Sequence, residues 1–234
     1  NGCGMTPEDC ALALERHATS KISAIEDLSE LRSYGFRGEA LFALAAVSRL
    51  SLTSSPPSAS GGWKITAEGG RILSAEPASS PVGTLVEVND LFFNTPARHK
   101  FLKSDAFEKS ALVAVVEESA LANPHIRFSY KSEGRAVLKL PPETNGAASL
   151  SRRLAAVWGE ELTKGLLPLS LDRPGIKLLA FVSPARLLNA SRNFQLWFVN
   201  RRPIASRLLQ QALYRAYREH RGHRHPVCAA FLEL

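Results

Sequence analysis

The chain has 234 residues, 45% of them hydrophobic, enough for a substantial core in one or two domains. No apolar run reaches the ~18 residues that a membrane span needs, and three cysteines, Cys3, Cys10 and Cys228, without a CxxC pair argue against a disulfide framework or a four-cysteine zinc site and fit a reducing cytosol. The net charge of +7 is uneven: residues 1–146 carry 15 Lys and Arg against 17 Asp and Glu, a balance of −2, while residues 147–234 carry 14 against 5, a balance of +9. That asymmetry places a polyanion such as nucleic acid near the second part, or marks a plain basic surface. No basic, apolar leader opens the chain and it lacks an initiator Met, so it is expected to be a piece of a longer protein or a processed product.

Thr6 before Pro7, Glu8 and Asp9 predicts a capped helix start. Arg16 to Ile22 breaks the helical pattern. There Thr19, Ser20 and Lys21 put three polar donors side by side, suited to a phosphate or a Mg²⁺-bound oxygen, or simply to an exposed turn. Asp27 to Leu31 reads as a short helix. Gly35-Phe36-Arg37-Gly38-Glu39-Ala40-Leu41 then joins a turn to a helix expected over Glu39 to Val47. Helix starts expose unpaired amides and the positive end of the helix dipole, so glycines 35 and 38 make either a phosphate cradle or an ordinary turn into a core helix.

Strands are expected over Ser48–Ser54, Trp63–Ala67, Arg71–Ala75 and, by alternation, Gly83–Val88, with a turn at Gly69-Gly70. Thr95-Pro96-Ala97-Arg98 predicts another capped helix start, with Arg98, His99, Lys100 and Lys103 as a basic face. A helix over Phe107–Ala122 should gather Leu112, Val115, Val116 and Ser119 near one face, and Asn123-Pro124 should stop it. Arg127–Lys131 and Arg135–Leu140 form a hairpin around Glu133-Gly134. Pro141–Ala147 is the expected linker, where the charge balance changes. Beyond it come a helix from Ser149 to about Trp158, strands over Ile176–Ser183 and Phe194–Asn200, a surface connection over Pro184–Arg192, then Arg201, Arg202 and Pro203 followed by a helix to about Arg218, and a last strand from Val227. The apolar face of that last helix is read as Ile204, Leu208, Leu209, Ala212, Leu213, Ala216 and Tyr217. His220, His223 and His225 are candidate metal ligands by residue type, and a metal site there is kept only as a minor alternative.

Each motif is weak alone, but their order is specific. Asn1-Gly2-Cys3-Gly4-Met5, Arg16-His17-Ala18-Thr19-Ser20-Lys21-Ile22, Gly35 to Leu41, Gly83-Thr84, Asp90 to Arg98, Lys100-Phe101-Leu102 and Phe198-Val199-Asn200 together resemble, from end to end, the N-terminal ATPase region of MutL-type mismatch-repair proteins. These belong to the GHKL superfamily, with Hsp90, type II topoisomerases and sensor histidine kinases. The resemblance implies an α+β chain. Residues 1–143 would be a GHKL-type α/β sandwich with a mixed sheet, lacking its start, and residues 144–234 a second α/β domain like domain 2 of ribosomal protein S5, lacking its end.

The resemblance also implies roles. Gly2 and Gly4, with Met5 beside them, match the glycine motif on which the adenine of ATP lies, and Thr84 matches a threonine that helps hold it. Thr19, Ser20 and Lys21 match a segment at the nucleotide, with Lys21 near the phosphates. Gly35, Phe36, Arg37, Gly38, Glu39, Ala40 and Leu41 match the lid around the β and γ phosphates. Arg202 matches an arginine on the DNA-binding side, and Arg201 stands where many bacterial members have Gly, so a different local turn is expected there. The general-base Glu and the Mg²⁺-binding Asn of the family would precede Asn1, and a lysine reaching the γ phosphate would follow Leu234. No catalytic or metal-binding residue is therefore expected within the chain, and the fragment alone is not expected to hydrolyse ATP.

The expected function of the parent is a DNA mismatch-repair clamp, cytoplasmic at the bacterial nucleoid or nuclear in a eukaryote. Slow ATP hydrolysis with Mg²⁺ would switch its conformation. Its partners would be DNA, a MutS-type mismatch-recognition protein and a second MutL-type chain, as homodimer or heterodimer, with no membrane. The alternatives are a non-catalytic DNA-binding or scaffold module of the same fold, or another GHKL protein.

Overall fold

The computed structural model describes residues 2–21, 34–35, 37–144, 146–220 and 222–234. The helix expected over Asp27–Leu31, the Phe36 of the lid motif and Asn1 lie outside the described residues. The chain forms two compact units, residues 1–103 and 104–234.

The first unit begins with helix α1 (Pro7–Leu12), and the Thr6 hydroxyl accepts from the Asp9 amide at 3.2 Å as its sequence predicts. Helix α2 (Ala40–Ala46) is shorter than expected, and Glu39 at its N-cap makes no side-chain cap. Strands β1 (Arg49–Ser55), β2 (Gly62–Glu68), β3 (Arg71–Ala78) and β4 (Gly83–Asn89) form one antiparallel sheet in the order β3-β2-β1-β4. Gly69 and Gly70 both take positive φ, +55° and +84°, the geometry a two-residue hairpin turn demands. Cys10 and Leu14, Ala45, and Leu50, Leu52, Ile65 and Ala67 make the core between the helices and β1–β2. Strand β4 departs from the expected alternation: Leu85, Val86 and Val88 are all exposed. Among the described residues it is an edge strand bonded only to β1, and no helix covers it. The unit closes with a turn of helix, α3 (Pro96–His99). Thr95 sits at its N-cap position, yet its hydroxyl makes no cap bond, because ψ of 70° turns it away from the geometry a cap requires.

The second unit opens with helix α4 (Asp105–Ala122), ended at Asn123 as expected. Its buried residues are Ala120, Leu121 and Ala122, not the predicted face, and Leu112 and Val115 stand exposed. Only the last turn of α4 meets the core formed with Leu154, Phe181, Phe198 and Ala229. Strands β5 (Phe128–Ser132) and β6 (Arg135–Leu140) form the predicted hairpin, with Glu133 and Gly134 both at positive φ. The stretch Pro141–Ala147 lies within this unit, before helix α5 (Ala147–Trp158) and the short α6 (Glu160–Thr163).

The five-stranded sheet runs β10-β9-β11-β8-β7, where β7 is Leu167–Arg173, β8 Ile176–Val182, β9 Gln195–Val199, β10 Arg202–Ile204 and β11 Cys228–Glu233. This sheet is mixed, because β11 runs parallel to β9 and antiparallel to β8. Strands β7 and β10 are not among the strands expected from sequence. Each carries a proline, Pro168 and Pro203, which an edge strand tolerates and a central one does not. Helix α7 (Arg207–Ala216) is capped by the Ser206 hydroxyl, which accepts from the Leu209 amide at 3.3 Å. Its core face is Leu213 and Tyr217, and Leu208, which periodicity places on the apolar face, is 76% exposed.

Candidate nucleotide and nucleic-acid surfaces

In the first unit two sequence-distant motifs meet at Gly38. Its φ is +62°, and a Cβ there would lie 2.2 Å from the Ala18 carbonyl oxygen. The His17 amide donates to the Gly38 carbonyl at 3.1 Å. Only glycine allows this approach, and it sets the Thr19-Ser20-Lys21 segment beside the start of the Gly38–Leu41 segment. His17, itself at positive φ, reaches Glu39 at 3.5 Å. The Thr19 hydroxyl accepts from the Lys21 amide at 3.2 Å, forming a local turn, and Ser20 and Lys21 are exposed. A Cβ on Gly35 would meet no described atom within 4 Å and its φ is not positive, so of these two glycines it is Gly38 that shows the tight backbone approach among the described residues. Arg37, Glu39 and Ala40 are exposed and Leu41 packs against the core.

Gly4 shows the same requirement. Its φ is +69°, and a Cβ would lie 2.1 Å from the Ser55 carbonyl oxygen. Gly2, at φ +78°, has open space. The Met5 amide donates to Ser54 Oγ at 2.9 Å, Ser54 Oγ donates to the Gly83 carbonyl at 3.0 Å, and Ser54 Oγ lies 2.8 Å from Thr84 Oγ1. A hydroxyl has one proton and two lone pairs. With its proton on Gly83, Ser54 accepts from both Met5 and Thr84, which leaves the oxygen of the exposed Thr84 with lone pairs available as acceptors. The structure thus brings Gly4, Met5 and Thr84 together through Ser54, which is fully buried. Ser54 carries no signal in the sequence, since a lone serine at the end of a strand is ordinary.

Among the described residues no three His, Cys, Asp or Glu side chains gather as a metal cage.

In the second unit Asn200 and Arg201 form the two-residue turn between β9 and β10, with φ of +46° and +64°. This is the turn geometry glycine adopts freely at its second position, kept here with an arginine. Asn200 is held by its amide to the Leu232 carbonyl at 2.8 Å and by its side chain, which accepts from the Leu234 amide at 3.0 Å. Arg202 follows on edge strand β10, paired with Val199.

The family model described as DNA mismatch repair protein, C-terminal domain, matches residues 154–234. The chain is 45% identical over 235 aligned positions to the DNA mismatch repair protein MutL of Elusimicrobium minutum, covering 100% of this chain and 38% of that protein. It therefore spans about two fifths of the length of that curated relative. Among solved structures it resembles the Aquifex aeolicus MutL ATPase domain complexed with ADP, with a TM-score of 0.70, 30% identity, and coverage of 100% of this chain and 77% of the other. The B-subunit of DNA gyrase from Myxococcus xanthus shares the fold at a TM-score of 0.50 and 16% identity, over 92% of this chain and 68% of that one.

Proposed function

The chain belongs to the MutL family of DNA mismatch-repair proteins, and on that premise we propose that in its parent it binds ATP and couples that binding to a grip on DNA. The observation that carries the reading is the contact between Gly38 and Ala18, which unites the Thr19-Ser20-Lys21 segment with the lid motif around one backbone crossing. In this reading Gly2, Gly4, Met5 and Thr84 face the adenine. An amino N–H is the complement to an exposed Thr84 acceptor. Lys21 and the amides of residues 35–41 face the phosphates, where backbone donors and a cation offset negative charge. In this reading residues 1–143 act as the nucleotide domain and 144–234 as the second domain, a functional division that differs from the compact units 1–103 and 104–234. The general base and the Mg²⁺ ligand are assigned to sequence outside this chain, whose own residues bind and orient the nucleotide without hydrolysing it.

ATP closing the lid would bring two MutL-type chains together as a clamp, with a MutS-type protein upstream in the repair sequence. The basic second part, with its balance of +9, supports a hold on DNA through phosphates, without base reading. Arg202 and Arg201 are assigned to that surface. The test is nucleotide titration of the full-length parent with a fluorescent ATP analogue. Gly38→Ala should lose at least tenfold in affinity; wild-type affinity would remove the lid assignment. In parallel, Arg202→Glu should weaken DNA binding and flatten the dependence of log K on log salt by about one unit. An unchanged slope would remove Arg202 from the DNA side.

A further inference from the structure

We propose that the C-terminal end of α7 carries a second contact site for the phosphodiester backbone of nucleic acid, formed by Arg192, Arg215 and Arg218 around Tyr214. The proposal rests on the reading of the second unit as DNA-facing, and adds to it a site that no motif marked.

A cleft of about 440 Å³ is lined by Arg192, Gln211, Tyr214, Arg215 and Arg218. Gln211, Tyr214, Arg215 and Arg218 follow the i, i+3, i+4, i+7 spacing of one helical face, distinct from the Leu213 and Tyr217 positions that enter the core. Arg218 extends that face past the end of α7 at Ala216, its amide donating to the Arg215 carbonyl at 3.2 Å. Arg192 arrives from the connection between β8 and β9. A cation at a helix C-terminus is favoured by the helix dipole, which accounts for Arg215. It does not account for Arg192, which another element brings to the same cleft.

Three arginines thus line one cleft, and none takes part in the ion pairs found among the described residues. Like charges gathered in a cleft with no acidic residue in its lining repel one another, and an anion in the cleft removes that repulsion. The floor is held in place. The Tyr214 hydroxyl accepts from Gln195 Nε2 at 3.3 Å and lies 2.9 Å from His225 Nδ1, and the Tyr214 and His225 rings meet edge to face.

Guanidinium forks match phosphate oxygens in pairs, and three of them along an open cleft suit a repeating anion. Between residues 201 and 225 the sequence holds seven arginines and one acidic residue, Glu219. Arg207 and Arg215 are separated by about 12 Å along the helix axis, a distance over which a duplex presents several phosphates. The positive stretch that begins at Arg201 and Arg202 therefore continues along α7 to the cleft, which favours a polymer backbone over an isolated small anion.

The test is binding of the full-length parent to a fully paired duplex across a salt series. Replacing the three residues together (Arg192→Gln, Arg215→Gln, Arg218→Gln) should lower affinity roughly tenfold or more and reduce the log–log salt slope by two to three, at about 0.9 per phosphate contact. The matching lysine triple should keep most of the slope. Should the glutamine triple unfold, Arg192→Gln alone carries the test, with an expected loss of about one unit. A slope unchanged in the triple, while Arg202→Glu flattens it, overturns this site and leaves the DNA reading standing. A slope unchanged in both overturns the two together. Loss of inorganic phosphate binding in calorimetry with an intact DNA slope also overturns it, since the cleft would then serve a small anion.

Discussion

The Ser54 and Thr84 hydroxyls lie 2.8 Å apart, joining the ends of two neighbouring strands just where the Gly4–Met5 segment crosses them. Ser54→Ala removes the acceptor for the Met5 amide and the donor to the Gly83 carbonyl in one step. Leaving such groups unpaired costs about 1–3 kcal/mol. We expect lower unfolding stability by that amount, together with weaker ATP binding by the parent. Ser54→Thr, which keeps the hydroxyl, should retain more of both. Denaturant unfolding and nucleotide titration measure the two effects separately.

Arg153 on α5 is 1% exposed, and its Nη2 donates to the carbonyls of Pro124 and Pro141 at 2.6 Å each and of Ile126 at 3.1 Å. It ties the end of α4, the hairpin and the start of α5 to one point. Burial holds its pKa below the ordinary arginine value, with Glu143 acting in the opposite sense. Arg153→Met keeps the volume and strands three carbonyls, for an expected loss of about 3 kcal/mol. For a chain of this size that is roughly a 10 °C fall in melting midpoint, read by thermal unfolding.

Arg201 holds φ at +64° in the turn before Arg202. That conformation costs a non-glycine residue about 1–2 kcal/mol, part of which the freer unfolded state of glycine offsets. Arg201→Gly should therefore raise stability by about 0.5–1 kcal/mol while lowering DNA affinity and the salt slope by about one unit. Opposite signs in unfolding and DNA-binding measurements would mark a position where charge is kept despite backbone strain.

Cys228 is buried, and desolvation pushes its thiol up to about 12 from a usual value of 9.0. Its folded pKa exceeds its unfolded one, so the contribution to stability is full below pH 9 and is lost as pH rises toward 12. Stability should fall across that window by up to about 1.4 kcal/mol per pH unit. Cys10 is also raised by burial, first, and then by Asp9 and Glu8. At pH 8 an alkylating reagent should therefore label exposed Cys3 quickly and reach Cys10 and Cys228 only on unfolding, as peptide mapping would report.

Local chemistry was readable wherever it closes within a few residues. Thr6 and Pro7 announced α1, Gly69-Gly70 and Glu133-Gly134 announced their hairpins, and the ordered motifs announced the family, because caps and turns depend on neighbours along the chain. Strands β7 and β10 escaped because an internal proline reads as a break until the strand is known to lie at an edge. The exposed flanks of α4 and β4 escaped for a related reason. Periodicity names an apolar stripe, but it does not say whether another element arrives to cover it.

The order of residues was therefore enough to specify turns, helix starts, the charge division and membership of a family. Which backbone Gly38 touches, that Ser54 gathers Met5 and Thr84, that Arg153 is buried, and that Arg192 joins Arg215 and Arg218 all required the folded chain. Those facts depend on distances between residues far apart in sequence, and long-range packing sets such distances while local propensity does not.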